Sequence, residues 1–223
     1  MLGLLLAAIV SSSHINYMDI VVFFVSFVGP VVIVGYLIKA DKPRKLTMDM
    51  FKVFLFGVLI ALIAGELNHY TWAIDYPTLT FMAAIPEETL KYLVLFLYVN
   101  KRGLIKEPID AIIYGVLISL TFAALENYIV YVRGSPFEIY QMGVIRTFSA
   151  VPMHAMCGVI MGFYFGLARF YDPKYNFAKA LWVPMTIHAS YNFFSMTLEL
   201  AVIFNIALFI FTQRLYQKFT SLQ

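Results

Sequence analysis

The chain predicts an all-α membrane bundle of about seven transmembrane helices, and three observations carry that expectation. Hydrophobic residues make up 61% of the 223 positions and charged residues 13%, with a mean hydropathy of +0.80, too apolar for a domain that presents a polar surface to water. Apolar runs of the roughly 20 residues needed to cross a hydrocarbon core recur along the whole chain. Short connectors between them collect most of the Lys and Arg residues. A single membrane-embedded domain over 1–223 is expected, with no soluble domain, repeat or low-complexity tail.

The runs fall near 18–39, 47–67, 79–99, 109–132, 142–168, 180–198 and 199–216. Ahead of them, Met1–Val10 is apolar but lacks a basic leader, so it reads as a short interfacial segment rather than a cleaved signal. Asp41 with Pro43, Gly103, and Pro173 punctuate the separators. The basic clusters are Lys39, Lys42, Arg44 and Lys45; Lys101, Arg102 and Lys106; Arg169, Lys174 and Lys179; and Arg214 with Lys218. The alternate connectors hold no Lys or Arg, apart from Arg133 and Arg146 at the outer face. A multi-pass cell-membrane protein is therefore expected, with its N-terminus extracytoplasmic and its C-terminus cytoplasmic. The net charge of +3 sits in connectors that suit an anionic leaflet, and no nucleic-acid-binding motif is visible. The one cysteine, Cys157, excludes an intrachain disulfide and any multi-cysteine metal site.

Polar groups inside the spans carry the functional signal. An ionised residue at the centre of a transmembrane helix costs about 2.5 to 3.5 kcal/mol on insertion scales, so a concentration of them marks a site. The candidates are Pro86-Glu87-Glu88-x-x-Lys91, Glu126 with Asn127, His154, and His188 with Asn192. Counted inward at about 1.5 Å per residue, Glu87 lies about 12 Å deep, Glu126 about 10 Å, and His154 and His188 about 15 to 18 Å. Four helices of alternating direction thus bring ionisable groups to one level in the outer half of the bilayer. Lys91 stands three and four residues from the two glutamates and can pair with either. Asn192 shares the face of His188, where it can orient the ring or bind a substrate carbonyl. Gly158, Gly162 and Gly166 form a small-residue stripe on the His154 face that invites a close partner helix.

Taken singly, each group has a structural counterpart, a packed histidine or a neutralised ion pair. Together they form a hydrolytic kit. Adjacent carboxylates in a low dielectric repel, so one is expected to hold a proton while the other stays ionised beside Lys91. Two chemistries fit. In one, His154, His188 and Glu126 bind Zn²⁺, and Glu87 or Glu88 takes the proton from water. In the other there is no metal, and a glutamate activates water while His and Asn side chains hold the oxyanion. No His-Glu-x-x-His motif decides between them, and Cys157 lacks the Gly-rich elbow of a nucleophile.

In order, Glu87-Glu88-x-x-Lys91, Phe122-Ala123-x-x-Glu126-Asn127, His154-Ala155-x-x-Gly158 with Gly162-Phe163-Tyr164, and His188-x-x-x-Asn192 resemble the PrsW family of intramembrane proteases from about the first span onward. The resemblance implies a polytopic protease making the first cut in anti-sigma factors, related to CAAX-prenyl endopeptidases and bacteriocin-processing enzymes. It implies that Glu87 and Glu88 are the paired catalytic glutamates, Glu126 the second-motif glutamate, and His154 and His188 the family's histidines. The CAAX-type members resemble Glu-Glu-x-x-x-Arg, which separates this chain from a prenylated substrate. Asn192 stands where PrsW-like proteins often carry Asp, and an amide is a poor ligand or base, so orientation or binding suits it better.

The expected partners are a single-pass transmembrane protein substrate and the lipid bilayer, and the oligomeric state is open. Two rivals belong to other classes. A proton- or cation-coupled transporter uses similar intramembrane groups, but no inverted repeat or pair of broken helices is visible. A non-catalytic scaffold subunit of a membrane protease complex would not need both glutamates and both histidines.

Overall fold

The computed structural model describes residues 24, 26–32, 47–70, 77–133, 145–194 and 198–220. Among these the protein is helical apart from short connections such as 101–107, with no strand, in agreement with the all-α expectation. The predicted span 18–39 lies largely outside the described residues, as do the Met1–Val10 segment and the first basic connector.

Helix α1 (Met48–Tyr70) starts at Thr47, whose hydroxyl accepts the amide of Met50 at 3.2 Å. Its outward stripe is large and apolar, with Phe51, Leu55, Leu59, Ile63 and Leu67 exposed at a spacing of four. Its inward stripe is small, with Gly57, Ala61 and Ala64 buried. A Cβ on Gly57 would meet Thr121 Cβ at 2.7 Å, so α1 approaches the next long helix closely.

A 3₁₀ turn, Pro77–Ala83, leads into α2 (Ala84–Leu93), which continues without interruption as a π-helical stretch, Val94–Asn100. Helix α2 is inside out. Ala84, Glu87, Glu88 and Lys91 form its buried face, while Ile85 and Leu93 point outward. Gly103 (φ 67°) ends this unit in the left-handed conformation, with Leu104 N–H bonding to the Val99 carbonyl at 3.1 Å and Gly103 N–H to that of Asn100 at 3.0 Å.

Helix α3 (Pro108–Arg133) and helix α4 (Ala150–Phe170) form the centre, and most of the residues in their membrane-spanning lengths are buried inside the bundle. The predicted glycine stripe makes this pairing. A Cβ on Gly158 would come within 2.8 Å of the Gly115 carbonyl oxygen and of Val116 Cα, and one on Gly162 would collide with the Ala111 carbonyl and Ile112. Only glycine lets these two backbones run in contact.

Helix α5 (Pro173–Phe194) begins earlier than the predicted span at 180. Pro173 does not break a helix here but opens one. It occupies the first turn, where its missing N–H is no loss, and Asp172 accepts the Lys174 amide at 3.0 Å. Helix α6 (Leu198–Thr220) packs a narrow stripe of Ala201, Asn205, Leu208, Thr212, Leu215 and Phe219 against the bundle. Asn205 donates to the Ser149 carbonyl at 2.9 Å, and the rings of Phe219 and Phe163 lie 5.3 Å apart.

Four segments among the described residues are long and apolar enough to cross a membrane: Met48–Asn68, Pro108–Ile129, Ile145–Phe170 and Glu199–Phe219. The two remaining helical units, α2 with its π extension and α5, are the ones that carry Glu87, Glu88, Lys91 and His188.

Candidate active site

Each of the five long or short helices α1 to α5 delivers a polar side chain to one cluster. Glu87, Glu88 and Lys91 come from consecutive turns of α2, Glu126 from α3, His154 from α4, His188 from α5, and Asn68 from the end of α1. Glu88 and Lys91 have no exposed surface, and Glu87, His154 and His188 have 3% or less.

Lys91 is the hub. Its ammonium donates to Glu88 Oε1 at 2.7 Å, approaches His154 Nδ1 at 3.0 Å, and lies 4.2 Å from the centre of the Phe122 ring. Two donors cannot face each other at that distance, so His154 Nδ1 carries a lone pair and accepts. The ring proton then sits on Nε2, which donates to Glu126 Oε2 at 3.1 Å. Glu126 is held on its other oxygen by Arg146 Nη2 at 2.8 Å, and Arg146 Nε donates to Asn127 Oδ1 at 2.8 Å. Arg146, predicted as an outer-face exception, belongs to the half-buried edge of this network.

His188 is oriented in the same manner by the other glutamate. Its Nδ1–H donates to Glu88 Oε1 at 2.8 Å, which leaves the Nε2 lone pair 3.9 Å from Glu87 Oε2. Glu87 Oε1 accepts from Asn68 Nδ2 at 2.9 Å, whereas Glu87 Oε2 makes no hydrogen bond among the described residues. Glu88 Oε2 and Asn127 Nδ2 are likewise buried without a hydrogen bond among the described residues, and of these atoms Glu87 Oε2 is the one that faces an imidazole nitrogen.

The same gap accepts a metal. Glu87, His154 and His188 each offer a ligand atom within 4.8 Å of the others, a nitrogen–oxygen set suited to a divalent transition ion. Glu87 Oε2 and His188 Nε2 are available as they stand, and His154 would release one of its present partners. Glu126, predicted with the two histidines as a ligand, lies behind His154 and is neutralised by Arg146, so Glu87 takes its place among the gathered atoms. Asn192 donates to the Thr80 carbonyl at 3.2 Å and so ties α5 to the 3₁₀ turn ahead of Glu87, rather than reaching the carboxylates. Cys157 is buried, with its thiol on the Pro184 carbonyl at 3.7 Å and Met153 Sδ at 3.6 Å.

Neither Asn68 nor Arg146 was among the predicted site residues. Arg146 had a signal, being a cation in an apolar run. Asn68 had a weaker one, as the residue that continues the spacing of Gly57, Ala61 and Ala64 on the inward stripe of α1.

A lipid-compatible bundle enclosing a carboxylate–imidazole centre with an open donor pair defines a membrane-embedded enzyme site of the hydrolytic or metal type. The comparisons with known proteins give the family. The profile of the "PrsW family intramembrane metalloprotease" matches residues 42–214, and the chain belongs to that family of intramembrane proteases, membrane-located hydrolases. Protease PrsW of Bacillus subtilis is 41% identical over 113 residues, 48% of this chain and 49% of that protein, so this match spans about half the relative's length. Protease PrsW of Geobacillus kaustophilus is 32% identical over 157 residues, 67% of this chain and 68% of that one. Protease PrsW of Clostridioides difficile is 29% identical over 166 residues, 69% of each. No solved structure matches significantly.

Proposed function

We propose that this chain is an endopeptidase that cuts a single-pass membrane protein, of the anti-sigma-factor type, close to the extracytoplasmic boundary of the membrane. The observation that carries the reading is that Glu87 Oε2, which makes no hydrogen bond among the described residues, faces His188 Nε2 at 3.9 Å inside a buried cluster of carboxylates and imidazoles. The basic connectors Lys101–Lys106 and Arg169–Lys179 support an extracytoplasmic N-terminus and a cytoplasmic C-terminus, which sets the cluster toward the outer side.

Peptide hydrolysis needs a proton taken from water and a proton given to the leaving amine. Without a metal in the gap, a water there can lose its proton to Glu87 Oε2 or His188 Nε2, and the group that receives it can pass it to the amine nitrogen. Glu88 holds the His188 tautomer and ring orientation through the Nδ1–H, as a carboxylate does behind a catalytic imidazole. Lys91 keeps Glu88 charged, and the Glu126–Arg146 pair fixes the His154 ring. Asn192 acts on position, by anchoring the turn that leads to Glu87.

Glu87, His154 and His188 would hold a zinc ion, which when bound would supply Lewis acidity and lower the pKa of water. Glu87 Oε2 and His188 Nε2 would then be ligands, and Glu88, whose Oε2 makes no hydrogen bond among the described residues, would be the carboxylate left to take the proton. The family description supports a metal, and the nitrogen–oxygen donor set supports zinc.

The test is purified full-length protein in liposomes with a reconstituted single-pass substrate, with and without a chelator, followed by zinc. Cleavage at the extracytoplasmic juxtamembrane segment, lost with chelator and restored by zinc, is expected. Chelator-resistant cleavage would overturn the zinc assignment, and proton or cation flux without cleavage would overturn the peptidase.

A further inference from the structure

We infer that Asn68 is a positioning residue for the reaction, fixing the Glu87 carboxylate so that one oxygen is bound and the other faces His188. The inference rests on the reading of Glu87 as the group that handles the attacking water. A buried Glu side chain has three rotatable bonds before its carboxylate, and nothing on α2 itself restrains Glu87. Its neighbour Glu88 is bound to Lys91 and His188. Asn68 Nδ2, 2.9 Å from Glu87 Oε1, supplies the one hydrogen bond that Glu87 makes among the described residues. The bond spans two elements, from the last turns of α1 to the first turn of α2.

The backbone geometry explains why an amide this short can reach. Gly57, Ala61, Ala64 and Asn68 follow the inward face of α1 at spacings of four, three and four, and the small residues bring α1 against the bundle. The outward stripe of α1 from Phe51 to Leu67 is apolar, and half-buried Asn68 is the polar end of the inward one. With Oε1 committed, the carboxylate plane is set and Oε2 points at His188 Nε2, 3.9 Å away. An amide donor suits this role better than a cation, because it orients a carboxylate without neutralising it.

The experiment compares kcat and KM for the liposome-reconstituted single-pass substrate among wild type, Asn68→Leu, Asn68→Ala, Asn68→Gln and Glu87→Gln, with thermal unfolding measured on each. Leu keeps the volume and removes the donor; Gln keeps the donor. The expected result is a kcat about 10- to 100-fold lower for the Leu and Ala variants at an unchanged KM and unfolding midpoint, with partial recovery in the Gln variant. A kcat within two-fold of wild type in Asn68→Leu would overturn the inference, as would failure of both donor-free variants to fold, since a positioning role leaves the bundle intact. The Glu87→Gln control separates the two levels. If it is inactive while Asn68→Leu is normal, only the role of Asn68 fails; if it is active, the reading of Glu87 fails and takes this one with it.

Discussion

Helices α3 and α4 on one side, and α2 and α5 on the other, solve opposite problems within one bundle. The first pair is apolar, long enough to span, and packed backbone to backbone through Gly115, Gly158 and Gly162. The second pair falls outside the spanning criteria and turns charged or ring-nitrogen groups inward. In the first pair stability comes from close contact of small residues, since lipid gives little hydrophobic incentive for helices to associate. In the second, desolvation of Glu88, Lys91 and His188 is offset by their bonds to one another and by the contacts of Lys91 with His154 and the Phe122 ring. The lesson is that the rigid pair can carry a polar cluster because its own packing needs no polar group.

The strongest way to break that contrast is Lys91→Met. It leaves Glu88 buried with His188 as its remaining partner, and we expect a loss of about 3 to 5 kcal/mol, read as a large fall in the thermal unfolding midpoint in detergent. Adding Glu88→Gln should recover much of that stability but none of the activity. An unchanged midpoint in Lys91→Met would mean that the cluster is not held by its charges.

A smaller effect is expected on the other side of the comparison. Gly158→Val forces a side chain into the Gly115 carbonyl and Val116, and a cost of about 1 to 3 kcal/mol is expected, with KM and kcat of the folded fraction little changed. Loss of kcat at full stability would show that the tight pair tunes the chemistry as well as bearing it. Smallest is Asn192→Ala. Losing one hydrogen bond to Thr80 is worth about 1 kcal/mol, so kcat should fall by no more than about ten-fold, with bound metal retained. A complete loss of turnover would return Asn192 to the substrate or the water.

The contrast was partly legible in the sequence. Charged residues in lipid-soluble runs stand out on energetic grounds alone, which is why Glu87, Glu88, Lys91, Glu126, His154 and His188 were readable, and spacing of four exposed the glycine stripe. Depth along a helix placed them at one level, but depth does not say which group faces which. Glu126 and Glu87 are interchangeable by that measure, and only the side-chain directions put Arg146 against Glu126 and leave Glu87 beside His188. Pro173 misled because a proline signals a boundary without saying whether a helix ends or begins there. Asn68 carried only a weak signal, its place on the small-residue stripe, because an isolated amide near a membrane boundary is unremarkable until its partner is known.

The most direct measurement is cleavage of a reconstituted single-pass substrate by the Glu87→Gln variant beside wild type, at matched folded protein. Gln keeps the size of the side chain and can still meet Asn68, but it can neither take a proton from water nor bind a metal as a carboxylate. The account predicts unchanged thermal unfolding and a rate lower by about 10²- to 10⁴-fold. Wild-type turnover by this variant would contradict the central claim that the Glu87–His188 gap is where the peptide bond is hydrolysed.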